Sequence, residues 1–190
     1  VSAVLLLLGA AASAQPTDRF AYIEKYKEIA IREMRRTGIP ASIKLGQGIL
    51  ESAAGGSTLA RRANNHFGIK CGGNWDGKKF FLEDDDYDDE GRLIESCFRA
   101  YRNGEASYTA HSEFLRDPRK AYRYGFLFRI DPLDYKAWSR GLLLAGYATS
   151  RTYAQNLIRV IEQYQLYELD RMTMEEIEEG PLPGEDVIEG

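Results

Sequence analysis

The sequence predicts a mainly α domain with an α+β flavour: six or so helices and one small antiparallel β-hairpin. Apolar residues recur at three- and four-residue spacing through most of the chain, with capping residues at the starts and glycines or prolines at the ends. The stretch 75–98 breaks that rhythm and offers two short β-prone runs instead. At 190 residues and 21.5 kDa the chain fits one domain with a substantial core.

The elements follow in order. Asp18 or Thr17 caps a first helix to about Arg36, with Phe20, Ile23, Tyr26, Ile29, Ala30 and Met34 on its apolar face and Gly38 ending it. Pro40 suits the first turn of a second helix, 40–52, on which Ile43, Gln47, Leu50 and Glu51 fall near one another before Gly55-Gly56 stops it. Ser57 or Thr58 caps a short helix over 59–63, and Asn64, Asn65 and His66 are turn-prone. Residues 79–82 and 92–100 read as the two strands, with Asn74, Gly77 and the acidic run Glu83 to Asp86 as turns. Ser107 caps a helix to about Leu115, which Asp117-Pro118 breaks. Tyr122 to Tyr124 and Leu127-Phe128 form an aromatic connector. Asp131 or Asp134 precedes a helix over 135–145 closed by Gly146, and Ser150 or Thr152 begins the last one, 153–164, with Leu157, Ile158, Ile161 and Tyr164 inward.

Both ends depart from this pattern. Residues 1–14 are apolar and uncharged and finish in Ala12-Ser13-Ala14, which reads as the core and cleavage site of a secretory leader lacking its basic start. The folded domain is then expected over 15–170, secreted or periplasmic after cleavage near Gln15. No other run is long and apolar enough for stable membrane insertion. Residues 171–190 hold seven acidic residues against one basic and read as an acidic, disordered tail. The formal net charge is -4, but that tail alone carries -6, so the rest of the chain is about +2. No basic cluster with interleaved aromatics argues for nucleic acid. Nothing fixes an oligomeric state, and a monomer is the working expectation.

Export makes Cys71 and Cys97 a candidate disulfide that would staple the base of the excursion between them; two small buried thiols are the alternative. Two cysteines and two histidines give no zinc pattern, and the acidic run lacks the spacing of a calcium loop, so no metal or cofactor is expected. Serines 52 and 57 lack a G-x-S-x-G element, and His66 has no orienting acid close in sequence. A papain-like pairing would need a free cysteine beside His66 or His111. The remaining chemistry is that of carboxylates. Glu51 sits at the end of an apolar helix, where burial keeps a carboxyl group protonated and able to act as an acid; spacing alone favours the plainer reading, a solvated helix-end glutamate.

Several separated motifs carry a resemblance. IPASIKLGQGILESAAGGSTLARRANNHFGIK at 39–70, FRAY at 98–101, the Ser107, His111, Phe114-Leu115 pattern, WSRGLLLAGYAT at 138–149 and YAQNLIRVIEQYQLYELD at 153–170 resemble the bacterial cell-wall glucosaminidases, the flagellar peptidoglycan hydrolase and autolysin family, across roughly residues 20–170. The resemblance implies a lysozyme-like fold with the hairpin flanking a cleft. It also implies hydrolysis of the N-acetylglucosaminyl-β-1,4-N-acetylmuramyl bond of peptidoglycan strands, and it matches Glu51 to the family's catalytic glutamate. The family's second carboxylate, in a Thr-x-Glu-like element on the hairpin, has no counterpart here; Asp86 is the first candidate and Asp85 the next. If that acid activates water across a wide cleft the reaction inverts, and if the substrate's acetamido group assists it retains. Tyr147 matches a family tyrosine, and Tyr153, Asn65, His66, Phe67, Trp75 and Gln47 complete the expected sugar-binding set. Two rivals stand beside this reading: a muramidase or lytic transglycosylase of the same fold, and a non-catalytic wall-binding domain.

Overall fold

The computed structural model describes residues 18–73, 75–87 and 90–179, without the side chains of 84–87, 93 and 176–179. The leader expected over 1–14, the start near Gln15 and the chain beyond Glu179 lie outside the described residues.

Helix α1, Arg19–Thr37, starts at Asp18, whose carboxylate accepts from the amides of Phe20 at 2.9 Å and Ala21 at 3.2 Å. It ends at Gly38, whose φ of 74° closes the helix with an amide bond back to Met34. Its buried face, Tyr22, Tyr26, Ile29, Ala30 and Met34, lies on helix α2, Ala41–Ser52. That second helix is the centre of the molecule. Every residue from Ala41 to Ile49 is buried, against α1 and three later helices. Glycines permit that closeness: a Cβ on Gly46 would stand 2.7 Å from Leu157, and one on Gly48 would stand 2.6 Å from the hydroxyls of Tyr22 and Tyr108.

Helix α3, Thr58–Ala63, is capped by Ser57. The chain then crosses to a two-stranded antiparallel sheet of β1, Lys79–Tyr87, and β2, Leu93–Arg99. The disulfide Cys71–Cys97, with Cα atoms 5.5 Å apart, closes the base of this excursion. The acidic run expected as a turn belongs to β1, flanked by the cross-strand pairs of Glu83 and Tyr87 despite the weak strand preference of Asp and Glu. Its pairing is irregular: Glu83 lies opposite Glu95 and Tyr87 opposite Leu93, so four steps along β1 meet two along β2.

Helix α4, Gly104–Arg116, begins three residues before the expected cap. Asn103 caps it by accepting from the Ala106 amide at 2.9 Å, while Ser107 is buried and turns its hydroxyl back to the Gly104 carbonyl. The aromatic connector is helical throughout: a 3-10 turn at Pro118–Lys120, α5 at Ala121–Tyr124, and a second 3-10 turn at Gly125–Arg129. Helices α6, Tyr135–Leu144, and α7, Tyr153–Gln163, follow and pack against α2.

The last element corrects the expectation that order ends at Asp170. Helix α8, Tyr167–Glu179, packs against α1 and α2 with Leu166, Asp170 and Thr173 buried. Its acidic composition conceals a buried stripe at helical spacing. Asp170 also supplies what Pro40 lacks, a cap for α2: it accepts from the Ser42 amide at 2.8 Å and from the Ser42 hydroxyl. Among the described residues no helix is long and apolar enough to cross a membrane, and no cluster of His, Cys, Asp and Glu could hold a metal ion.

Candidate active site

The central helix ends abruptly beside a cleft. Ser52 turns its hydroxyl to the Gly48 carbonyl and accepts the Gly55 amide at 2.7 Å. Ala53, Ala54 and Gly55 then take φ values of 50°, 52° and 80°. Two successive alanines in the left-handed region carry strain that the packing around them holds in place. This sharp exit leaves Glu51, on the last turn of α2, facing a cleft of about 650 Å³. The cleft is lined by the start of α3, the loop from Phe67 to Lys70, Leu82 and Phe98 of the hairpin, and Phe114, Arg123, Tyr124 and Tyr147.

Glu51 is exposed to solvent on its cleft side and crowded by protein behind. Burial raises its pKa above the ordinary glutamate value, against the smaller effect of the Tyr153 hydroxyl, which favours the anion. Tyr153 is in turn held by Gln47, one helical turn before Glu51, whose Nε2 donates to the tyrosine oxygen at 2.8 Å. With that oxygen accepting from Gln47, the hydroxyl proton is free to point to the carboxylate. Tyr147 lies within electrostatic reach of Glu51, and burial holds both tyrosines well above the usual phenol range, so each stays protonated. The Tyr147 hydroxyl meets His111 Nε2 at 3.1 Å. Phe67 lines the cleft edge-on to Tyr108 and stacks on His111 at 4.2 Å.

The structure thus gathers Glu51, Gln47, Tyr153, Tyr147 and Phe67 in one place. It puts three other predicted residues elsewhere. Asn65 is a buried clasp with its amide fully used: Nδ2 donates to the carbonyls of Ile69 and Arg99 at 3.0 and 2.8 Å, and Oδ1 accepts from the Ile69 amide at 3.1 Å. Its work is to tie the NNHFG turn to the strand end. His66 is buried between Tyr22 and Tyr26, bonded to their hydroxyls at 3.0 and 3.3 Å, and opens on a separate hollow rather than on Glu51. Burial and the nearby Lys25 push its pKa down to about 4, so it stays neutral. Trp75 packs edge-on to Tyr101 with the Arg99 guanidinium 4.7 Å from its ring, away from the cleft lining. Asp85 and Asp86 lie on β1 within the irregular pairing, and their side chains lie outside what is described.

Arg123 and Tyr124, which sequence reasoning left in a connector, are part of the site. Arg123 donates to the carbonyls of Ala145, at 2.6 Å, and Gly146, and so holds the loop that presents Tyr147. Nothing in a single Tyr-Arg-Tyr run signals that contact, which spans 22 residues of chain.

With this geometry in hand, comparison with known proteins is informative. Residues 27–166 match the family described as Glucosaminidase, mannosyl-glycoprotein endo-beta-N-acetylglucosaminidase. The chain is 33% identical over 132 residues to the Exo-glucosaminidase LytG of Bacillus subtilis, covering 69% of this chain and 46% of that protein. It is 28% identical over 167 residues to the Peptidoglycan hydrolase FlgJ of Vibrio cholerae, covering 82% and 47%. The chain therefore spans about half the length of the curated relatives it matches. Among solved structures, the catalytic domain of the autolysin Auto from Listeria monocytogenes superposes with a TM-score of 0.71 at 28% identity, covering 85% of this chain and 92% of that one. The shared arrangement, mainly α with a small antiparallel hairpin, is lysozyme-like.

Proposed function

This chain belongs to the glucosaminidase family, and from that premise we propose that it hydrolyses the N-acetylglucosaminyl-β-1,4-N-acetylmuramyl bond of peptidoglycan with Glu51 as general acid. The observation that carries the reading is the placement of Glu51: a carboxyl group with a raised pKa on the floor of a sugar-sized cleft, with Tyr153 beside it. Such a group gives its proton to the leaving glycosidic oxygen as the bond breaks and the sugar takes on oxocarbenium character. Left behind as the carboxylate, Glu51 is met by the Tyr153 hydroxyl, which stabilises the charge the step creates. Support for that transition state comes from Asp86 or Asp85 of the hairpin activating water, or from the substrate's own acetamido group. Phe67 and Tyr147 offer a ring and a hydroxyl to the bound sugar.

The enzyme acts outside the cytoplasm in this reading, which rests on the apolar segment at 1–14 and on the Cys71–Cys97 bond, of a kind kept in oxidising compartments. Cleavage inside the strand is the first choice. Similarity to a protein named an exo-glucosaminidase favours a second, removal of residues from strand ends.

Digestion of purified peptidoglycan with reducing-end analysis tests the proposal. New reducing N-acetylglucosamine is the expected product, in mixed-length fragments for internal cleavage and as single residues for terminal cleavage. Reducing N-acetylmuramic acid, or its anhydro form, would identify a muramidase or transglycosylase instead. Glu51→Gln should cost at least about 100-fold in turnover, in line with the usual worth of a general acid. Glycan binding without product, unaltered by that substitution, would mark a wall-binding domain.

A further inference from the structure

A line of buried polar groups runs from the central helix α2 to the cleft, and the proposed reaction uses only its last member. Lys44, on α2 and fully buried, stands 2.9 Å from the Tyr108 carbonyl, 2.6 Å from the Ser112 hydroxyl and 3.3 Å from His111 Nδ1. The far ring nitrogen of His111, Nε2, meets the Tyr147 hydroxyl at 3.1 Å. Tyr147 lines the cleft that holds Glu51. A lysine buried in a helical core costs a great deal of desolvation unless its protons are all received, and here three neighbours can receive them.

We propose that Lys44 and His111 are positioning residues which fix the direction of the Tyr147 hydroxyl, so that its proton points into the cleft as a donor to the anion or the sugar at Glu51. The logic is one of donors and acceptors. An ammonium group has only protons to give, so His111 Nδ1 must accept from Lys44. A neutral imidazole then carries its single proton on Nε2 and gives it to the Tyr147 oxygen. With that oxygen occupied, the phenolic proton turns away from His111 and towards the cleft. Burial and Lys44 hold His111 well below the ordinary histidine range, so the ring is neutral throughout. Burial brings the Lys44 pKa down to about 7, with Glu33 of α1 raising it and Arg36 lowering it. The lysine therefore carries its charge in mildly acidic solution. Phe67, stacked on the imidazole 4.2 Å away, keeps the ring from turning over. Tyr153, beside Glu51 but not in the cleft lining, is held in the same manner by Gln47, whose Nε2 donates to its oxygen.

This inference rests on the hydrolase reading and deepens it. The test is a double-mutant cycle on peptidoglycan turnover at pH 6, with kcat and KM separated and folding checked by thermal melting. Tyr147→Phe is combined with His111→Phe and, separately, with Lys44→Met, which alters the far end of the line without touching the cleft. Each inner substitution alone should lower kcat about tenfold or more with little change in KM, the scale expected when a positioned transition-state donor is lost. Each should add no more than about twofold on top of Tyr147→Phe, because an effect that passes through one hydroxyl cannot be lost twice. Equal losses in both backgrounds would show that His111 and Lys44 only support the fold, and would overturn the proposal. Two inner variants are made so that one that fails to fold leaves the other to decide. A wild-type chain with no turnover would instead refute the hydrolase reading itself, which keeps that failure distinct from a failure of the positioning role.

Discussion

A carboxyl group donates a proton only while it still holds one, so in the proposed reaction the surroundings of Glu51 set the pH range in which the cleft can work. Burial raises its pKa, which keeps the acid form populated further towards neutrality than a solvated glutamate would be, and turnover should fall as pH rises through that value. Tyr153 opposes the shift by bonding to the anion. Replacing it with phenylalanine removes an interaction that favours the charged form, so the alkaline limb of the kcat profile should move to higher pH while kcat itself drops. A limb that moves to lower pH, or stays in place, would mean that Tyr153 does not address Glu51. Sequence spacing sufficed to put Gln47 and Glu51 one turn apart on one helix face. It could not show that Tyr153, more than a hundred residues away in the chain, closes the space between them. Nor could it single out Lys44, a lysine on the most buried helix, whose acceptors come from α4.

Elements whose ends carry local signals were legible; those that depend on partners were not. Helices α1, α2, α3 and α7 lie within a residue or so of where caps, prolines and glycines put them. The strand β1 runs on through acidic residues because β2 supplies its bonds, and α8 was hidden by charge. That last helix makes a testable difference to stability. Asp170 has its pKa raised to about 7, chiefly by burial, with its bonds to Ser42 opposing. A folded-state pKa above the unfolded value near 3.8 stabilises the fold fully below pH 4, and this contribution is lost as pH rises to about 7. Asparagine mimics the protonated acid. Melting of the wild type should therefore lose ground to Asp170→Asn between pH 4 and pH 8. Asp170→Ala removes the α2 cap altogether and should cost about 1–2 kcal/mol at the acid end of the range, and less as pH rises. A constant wild-type to asparagine difference would show that Asp170 does not titrate on folding.

The molecule as a whole builds its cleft from two unequal parts. The helical core contributes Tyr124 and Tyr147, part of or packed against one large cluster of buried side chains, and Glu51 at the end of α2. The hairpin contributes Leu82 and Phe98 from a separate small cluster that they share with Leu59 and Ala63. Among the described residues the ties between the two include the Asn65 clasp, the backbone bonds from Arg99 to Ile69 and Tyr101 to Ala63, the Arg99 side-chain bond to the Lys70 carbonyl, and the Asn64 bond to the Tyr101 carbonyl. Within the excursion, the disulfide spans 26 residues and holds its two ends together beside the backbone bond from Cys71 to Cys97. Closing a loop of that length restricts the unfolded chain by about 3 kcal/mol. Because the small cluster is distinct from the large one, the bond should matter most to the hairpin's own opening. The measurement is hydrogen exchange by mass spectrometry on the oxidised protein and on Cys71→Ala/Cys97→Ala. Peptides from β1 and β2 should exchange faster in the variant while those from α2 keep their protection, and turnover should fall because one wall of the cleft is no longer held against Glu51. Faster exchange in α2 to the same degree would mean that hairpin and core open as a single unit, and that the sugar cleft has no separately movable wall.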